Sequence, residues 1–170
     1  MEIESFEKPQ GEESSRGFFV YANGVSFRPM DPTDINEVMA IERTAYRYPW
    51  SEKFFLQEIG VQCARSVLAE INGKIVGYVL YWVLPDEVDI HNIAVHREFR
   101  CVGIGRRLLD HAVRAARERD SLRVTLEVRK SNSVAQKLYL SQGFVFTGER
   151  RGYYSDDGED ALLMSLNLNF

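Results

Sequence analysis

The sequence predicts a single domain with an α/β (α+β) fold, in which a mixed sheet is flanked by helices. Apolar and polar residues alternate in several short segments, as in 124–128, which is typical of strands. In others, such as 103–119, apolar residues recur at helical spacing. Hairpins dominate up to residue 95, and strands alternate with helices beyond it. We therefore expect a mostly antiparallel sheet of about seven strands and about four helices.

Composition narrows the class of protein further. The chain has 170 residues, of which 45% are hydrophobic and 27% charged, enough for a full core. The net charge of −4 gives no basic footprint, so a direct nucleic-acid partner is not expected. Two cysteines form no disulfide framework, which favours a reducing compartment. With no signal-peptide pattern and no bilayer-length apolar run, we expect a cytoplasmic protein without a membrane partner.

The chain divides at residue 24. Residues 1–23 are polar and charged, so we expect a flexible N-terminal extension with a short strand near its end. Residues 24–170 form the predicted domain. Its strands are expected at 25–30, 66–71, 74–84, 87–95, 124–128, 144–153 and 161–168. Its helices are expected from Asp31 or Thr33 to 46, and at 51–60, 103–119 and 132–142. Asn72-Gly73 predicts a hairpin turn.

The strand at 87–95 changes its apolar phase midway. Val88 and Ile90 share one parity, whereas Ile93 and Val95 share the other. A β-bulge near His91 would keep all four on one face. A central strand buried on both faces would also produce this pattern, and the sequence does not separate the two.

The loop at 100–106, between this strand and a helix, has the features of an anion site. Gly103 and Gly105 permit a tight turn whose N–H groups can converge on one anion. The helix that follows adds its positive end, and Arg100 and Arg106 add charge. A glycine-rich turn that merely caps a helix remains the alternative. Leu108 stands where a dinucleotide fold needs a third glycine, and the Gly-Lys-Ser/Thr of an NTPase loop is absent.

Four motifs in order resemble the GNAT superfamily of N-acetyltransferases. They are Asn92-Ile93-Ala94-Val95, Arg100-x-x-Gly103-x-Gly105, Leu126-Glu127-Val128-Arg129-x-Ser131-Asn132 and Leu138-Tyr139-x-x-x-Gly143-Phe144. Tyr48-Pro49-Trp50-Ser51 and Arg151-Gly152-Tyr153-Tyr154 are similar to motifs of the bacterial ribosomal-protein-alanine N-acetyltransferases. The resemblance covers residues 25–168.

This resemblance implies the GNAT fold, with a splayed central parallel pair of strands that holds acetyl-CoA as cosubstrate. The strand before the glycine loop would bind the pantetheine arm, and the loop would bind the pyrophosphate through backbone N–H groups. Cys101 and Val102 depart from the polar residues common in this loop. The implied coenzyme-binding residues are Ile93, Ala94, Val95, Arg100, Cys101, Val102, Gly103, Ile104, Gly105, Arg106 and Asn132.

The resemblance also implies two catalytic residues. Glu127 would be the general base toward an α-amine whose ordinary pKa is about 7.7–8.0, and Tyr139 the acid that protonates the leaving thiolate. Without the resemblance, Glu127 is a solvated residue on a polar strand face and Tyr139 a core aromatic. Asn132 is equally suited to cap a helix.

Trp50, Tyr153 and Tyr154 would line a groove for a protein N-terminus, although tyrosines also pack across strand pairs. The expected partner is the N-terminus of a ribosomal protein. The acidic segments at 86–89 and 156–160 would attract a basic ribosomal protein, or they are simply solvated loops. No metal-ligand spacing is present, so no metal is expected. An acetyltransferase acting on a small amine or on a different peptide, and a non-catalytic acyl-CoA-binding module, remain alternatives, and the oligomeric state is not predicted.

Overall fold

The computed structural model describes residues 19–20 and 24–168. A single mixed sheet of eight strands has the order β1-β2-β3-β4-β5-β6-β8-β7. The strands are β1 (Phe19–Val20), β2 (Val25–Pro29), β3 (Ala64–Ile71), β4 (Lys74–Val83), β5 (Glu87–Val95), β6 (Arg123–Arg129), β7 (Val145–Tyr154) and β8 (Glu159–Asn167). The helices are α1 (Ile35–Ala45), α2 (Glu52–Ile59), α3 (Ile104–Arg117) and α4 (Ser133–Ser141).

The predicted element order is confirmed, with seven longer strands, four α-helices and small shifts at the ends. The two-residue β1 pairs with β2 and supplies the short strand expected near the end of the N-terminal extension. The flexibility predicted for the rest of 1–23 concerns residues outside the described part of the chain. Asn72 and Gly73 both have positive φ angles, 51° and 77°, as the tight turn between β3 and β4 requires.

The sheet has apolar layers on both faces. One layer packs α3 against the sheet through residues such as Leu108 and Leu109. The other packs α1 and α2 through residues such as Ile41 and Phe55. Each helix therefore buries its apolar stripe on the sheet, which holds the strands in fixed positions relative to the loops at their ends.

The parallel pair at the centre of the sheet is short. β5 pairs with β6 only from Glu87 opposite Arg123 to Ile90 opposite Leu126. Beyond these residues β5 continues to Val95 and β6 to Arg129 without pairing with each other. The two strands thus diverge toward their carboxyl ends, as the splayed pair of the prediction requires.

A β-bulge marks the point of divergence. Leu80 pairs with Asn92 and the next residue, Tyr81, pairs with Ile90, so His91 is skipped. Beyond the bulge, Ile93 packs against the same apolar layer as Ile90, while Ala94 belongs to the opposite layer. Both alternatives for this strand are correct, because the bulge restores the apolar phase in a strand that is covered on both faces.

Candidate active site

Two cavities meet in the gap between β5 and β6. The larger, of about 510 Å³, lies beside the end of β5 and the glycine loop. The smaller, of about 190 Å³, lies beside β6 and the segment before α2. Four residues line both cavities: Tyr46, Ile93, Asn132 and Tyr139. These four residues therefore form the junction of the two cavities.

Most of the residues predicted to bind a coenzyme line the larger cavity. They are Ile93, Ala94, Val95, Arg100, Cys101, Gly103, Gly105, Arg106 and Asn132. The other two predicted residues do not line it. The Val102 side chain is 65% exposed, and Ile104 is buried in the core against α3. Only the backbone of these two could contribute to a phosphate site.

The glycine loop presents the start of α3 to the larger cavity. Cys101 and Gly103 both have left-handed backbone conformations, with φ angles of 63° and 88°. Gly103 is the N-cap of the 14-residue α3, and no side chain caps the helix there. The first N–H groups of a helix lack intrahelical acceptors and favour an anion. The chemistry of this loop therefore suits the pyrophosphate expected of coenzyme A.

Arg100 has a structural role as well as a charge. Its Nε donates a 3.1 Å hydrogen bond to the carbonyl oxygen of Val95, and its Nη2 donates a 3.3 Å bond to that of Thr44. The guanidinium thereby ties the loop to β5 and α1. The hydroxyl of Tyr46 makes a similar bond to the carbonyl oxygen of Ile93, at 2.6 Å.

The bonds from Arg100 to Val95 and from Tyr46 to Ile93 supply hydrogen-bond donors to the edge of β5 beyond the point where β6 diverges from it. Because successive strand residues direct their carbonyls to opposite sides, Ile93 and Val95 face the gap together. Side chains replace the missing strand as hydrogen-bond donors to both oxygens. Burial raises the pKa of Tyr46 well above its ordinary value, so this hydroxyl remains a donor.

The predicted catalytic pair lies around the smaller cavity. Glu127 and Tyr139 both line it, from β6 and α4. The Glu127 side chain is 26% exposed and forms an ion pair with Arg150, which reaches it from β7 across the intervening β8. The nearby carboxylate of Glu127 also raises the pKa of Tyr153. The carboxylate is thus held at the cavity wall yet accessible to water.

Tyr139 belongs both to the core and to the site. It is 5% exposed and packs on Phe144, with ring centroids 5.9 Å apart. It also lines both cavities at their junction. Burial raises its pKa, so the phenol keeps its proton at neutral pH. Asn132 is the N-cap of α4, with its Oδ1 accepting a 3.1 Å bond from the Ala135 N–H, and it lines the same junction.

Of the three aromatic residues predicted to bind the acceptor, Trp50 and Tyr154 line the smaller cavity. Tyr153 does not line it. Its ring is 45% exposed and packs edge-on against Tyr154, at 5.2 Å between centroids. The pKa of Tyr154 is raised to about 12 by burial.

Arg129 joins the acceptor-side loops. Its guanidinium carbon lies 3.8 Å from the ring centroid of Tyr154 and 5.5 Å from that of Tyr48. It also pairs with Asp156, Asp157 and Glu159, at 2.5, 2.9 and 3.2 Å. Burial lowers the pKa of Arg129, but the bonds to these carboxylates outweigh burial and raise it.

The acidic segments are largely engaged within the molecule. Asp160 lies 3.2 Å from Lys130, just as the rest of the 156–160 turn pairs with Arg129. In the segment 86–89, Glu87 pairs with Arg123 at 2.7 Å, and Asp89 accepts a 2.9 Å bond from Thr125. Much of their negative charge is therefore balanced locally, which weakens the argument that they attract a basic partner.

Sequence reasoning did not identify Tyr46 or the ionisable residue Glu42, both of which line the smaller cavity. The Glu42 side chain is fully buried, and its carboxylate accepts a 2.7 Å bond from the backbone N–H of Trp50, a bond from the Tyr78 hydroxyl, and two 3.5 Å bonds from Asn92 Nδ2. Burial raises the pKa of Glu42. Its position gave a signal, because it continues the apolar stripe of α1 that includes Ile35 and Val38.

In residues 19–20 and 24–168, no three His, Cys, Asp or Glu side chains gather as a metal site would require. Over the same ranges, no helix is both long and apolar enough to cross a membrane.

Comparison with known proteins gives three concordant results. The sequence profile described as "Acetyltransferase (GNAT) family" matches residues 35–144. The ribosomal protein bS18-alanine N-acetyltransferase of Escherichia coli strain K12 is 37% identical over 142 residues, covering 82% of this chain and 95% of that protein. An N-alpha-acetyltransferase of Sulfurisphaera tokodaii is 35% identical over 149 residues, covering 80% and 89%.

Similarity extends to a solved structure. The crystal structure of the ribosomal-protein-S18-alanine N-acetyltransferase from Escherichia coli superposes with a TM-score of 0.78 and 34% identity. The superposition covers 86% of this chain and 95% of that chain.

Proposed function

The chain belongs to the acetyltransferase (GNAT) family, and we propose that it acetylates the N-terminal alanine of a small-subunit ribosomal protein. In broader terms, it is an acetyl-CoA-dependent enzyme that acts on protein N-termini. The finer choice of substrate is supported by the names of relatives that this chain matches over most of their length. A cytoplasmic location stays a prediction.

The observation that carries this proposal is the junction of the two cavities. Ile93, Asn132 and Tyr139 line both, so a thioester entering along β5 and an amine entering beside β6 would meet there. Holding two reactants in contact converts a bimolecular reaction into an effectively unimolecular one. A binding module for one ligand has no need of the second cavity.

We assign the larger cavity to acetyl-CoA, which supplies an acetyl group activated as a thioester. The backbone of Ile93 to Val95 would hold its pantetheine arm chiefly through N–H groups, because the carbonyls of Ile93 and Val95 already accept bonds from Tyr46 and Arg100. The loop 101–106 and the uncapped start of α3 would hold its pyrophosphate, with Arg100 and Arg106 adding positive charge.

In the smaller cavity Glu127 acts as general base. An N-terminal amine has an ordinary pKa of about 7.7–8.0, so a sizeable neutral fraction exists at pH 7 and the base accepts a proton during attack. The partial exposure of Glu127 lets a water molecule relay that proton. Tyr139, kept protonated by its burial, donates to the departing sulfur. Transfer is then direct, because no nucleophile with a paired base lines the junction among the described residues.

The acceptor would lie along the aromatic wall of the smaller cavity. Trp50 and Tyr154 line it, and Tyr153 packs edge-on against Tyr154 outside it, where the Glu127 carboxylate raises the pKa of Tyr153. A cavity of about 190 Å³ admits a small first residue such as alanine together with its amine.

The test is incubation of the protein with acetyl-CoA and peptides that begin with alanine, followed by mass spectrometry. The expected product carries one acetyl group on the α-amine, and a peptide blocked by N-terminal methylation to the quaternary amine is unreactive. Acetyl groups found only on lysine side chains, or only on small amines, would overturn the proposal. Tight binding of acetyl-CoA with no transfer to any amine would indicate a binding module.

A further inference from the structure

The buried carboxylate of Glu42 joins three elements, two of which line the smaller cavity. The residues bonded to it come from β4 (Tyr78), from the bulge of β5 (Asn92) and from the segment before α2 (Trp50). A charged group in an apolar layer is costly unless its oxygens are hydrogen-bonded, and an apolar side chain would continue the α1 stripe without that cost. The packing of α1 alone therefore gives no reason for a carboxylate here.

Of the two side chains that donate to Glu42, those of Tyr78 and Asn92, only Asn92 lines the smaller cavity. Its Nδ2 lies 3.5 Å from both oxygens of Glu42, and these bonds fix which end of the amide faces the carboxylate. The other end, Oδ1, is buried and has no hydrogen-bond partner in the described part of the chain. Asn92 is only 6% exposed, so bulk water does not readily satisfy this oxygen.

The bulge gives Asn92 this position. Because His91 is skipped in the pairing with β4, Asn92 stands opposite Leu80 and shares a face with Ala94, toward α1. A regular strand would shift every later residue to the opposite face. The same irregularity that opens the gap therefore brings an amide to its wall.

We propose that Asn92 Oδ1 accepts a hydrogen bond from the N-terminal amine of the acceptor, and that Glu42 is a positioning residue that orients Asn92 and the Trp50 segment. This inference rests on the proposed function. An ammonium group has three N–H donors and a neutral amine has two, so the oxygen holds the amine before and after it loses a proton. A neutral amide oxygen does so without favouring the charged, unreactive form as strongly as a carboxylate in contact would.

Two ligands, three single variants and the double variant of Asn92→Ser with Glu42→Gln test this role. The ligands are a peptide beginning with alanine and its des-amino analogue, in which a propanoyl group replaces the alanine and no amine is present. The variants are Asn92→Ser, Glu42→Gln and, as a matched control, Glu58→Gln. Glu58 is a buried glutamate that accepts a 2.7 Å bond from Trp82 Nε1 and lines neither cavity.

We expect the wild-type protein to bind the alanine peptide at least about tenfold more tightly than the des-amino inhibitor, in keeping with one buried hydrogen bond. Asn92→Ser and Glu42→Gln should reduce this ratio severalfold and raise KM for the peptide, with KM for acetyl-CoA within about twofold of wild type. Because Glu42 acts through Asn92, the double variant should lose little more than Asn92→Ser alone. Glu58→Gln should leave the ratio unchanged.

The outcomes separate this inference from the proposed function. If the wild-type protein acetylates no peptide, the proposed function fails. If the peptide is acetylated and the ratio in Asn92→Ser equals that of wild type, the inference is overturned and the proposed function stands. The ligand ratio is measured within one folded variant, so a general loss of stability, followed by thermal unfolding, does not imitate the expected result.

Discussion

The hydroxyl of Tyr46 donates a 2.6 Å hydrogen bond to the carbonyl oxygen of Ile93, at the junction of the two cavities. Tyr46 is the first residue after α1 and has extended backbone angles, φ −123° and ψ 139°. The end of the helix thus directs a phenol to the strand edge that β6 has left. The bond keeps β5 in place where no neighbouring strand can.

Tyr46→Phe should weaken both folding and coenzyme binding. Loss of the donor leaves the part-buried carbonyl of Ile93 without this partner, which costs about 1 kcal/mol of unfolding free energy. KM for acetyl-CoA should rise because Ile93 moves. Tyr81→Phe is the control, since Tyr81 is a buried tyrosine of the sheet whose hydroxyl makes a 3.4 Å contact with His111 and which lines neither cavity. Equal KM values for both variants would contradict the assigned role.

Alkaline pH should destabilise the protein through its buried tyrosines. Burial raises the pKa values of Tyr46, Tyr78 and Tyr139 in the folded state, whereas the unfolded chain releases these protons near pH 10. Stability is therefore complete below pH 10 and is lost above it, by about 1.4 kcal/mol per pH unit for each proton retained. Urea unfolding at pH 8, 10 and 11 measures the slope. In Tyr46→Phe, which has one tyrosine fewer with a raised pKa, the slope of unfolding free energy against pH should fall by the contribution of one retained proton.

Glu127→Gln should lower kcat by about 10²- to 10⁴-fold, the usual contribution of a positioned general base. Glutamine keeps the size of the side chain and can still accept a bond from Arg150, so KM for both substrates should change little. Glu149→Gln is the matched control, because Glu149 is a carboxylate on the neighbouring hairpin that pairs with Lys130 at 2.7 Å. Steady-state kinetics from pH 6 to 9 measure kcat and KM for both variants and the wild-type protein. Unchanged turnover would mean that another group or bulk water is the base.

Tyr139→Phe should lower kcat by about 10²-fold while the protein remains folded. No hydrogen bond to this hydroxyl is found among the described residues, so its removal leaves no protein partner unsatisfied. The ring contact with Phe144 is retained. Thermal unfolding close to that of wild type, together with slow turnover at saturating acetyl-CoA, is the expected result. Full turnover would remove Tyr139 as the acid.

Gly103→Ala should raise KM for acetyl-CoA and leave KM for the peptide unchanged. A φ angle of 88° is strained for alanine, at a cost of about 1–2 kcal/mol, and the strain falls on the loop that faces the larger cavity. Gly73→Ala introduces the same strain at the β3–β4 turn, where φ is 77°. The two variants should lose similar stability, so a KM effect shared by both would contradict the loop assignment.

Local patterns predicted most of the fold because they depend on neighbours in sequence. The alternation of Val124, Leu126 and Val128 indicates that one face of the strand is buried, and the apolar stripe of α3 indicates the same for that helix. Neither pattern depends on which other element covers that face. Helix ends were less certain. The sequence predicts that the first helix runs through Tyr46, but α1 ends at Ala45. Tyr46 has β-like backbone angles, and its hydroxyl bonds to Ile93, 47 positions away in the chain.

The site was predicted in part for the same reason. Glu127, Tyr139 and the glycine loop follow motifs that can be read along the chain, and they line the two cavities. Glu42 belongs to no such motif. Its place on an apolar stripe signals burial, but its role depends on Asn92, Tyr78 and the Trp50 segment, which only the fold brings around it.

The sequence by itself determined the order of the elements, the family, the glycine loop and the phase change in β5, all of which depend on residue types at short spacing. Only the tertiary structure decided that the bulge both opens the gap and turns Asn92 toward Glu42, that Arg150 reaches Glu127 across β8, and that Tyr46 takes the place of a missing strand. These relationships join residues far apart in the chain, and packing of the sheet between two apolar layers fixes them.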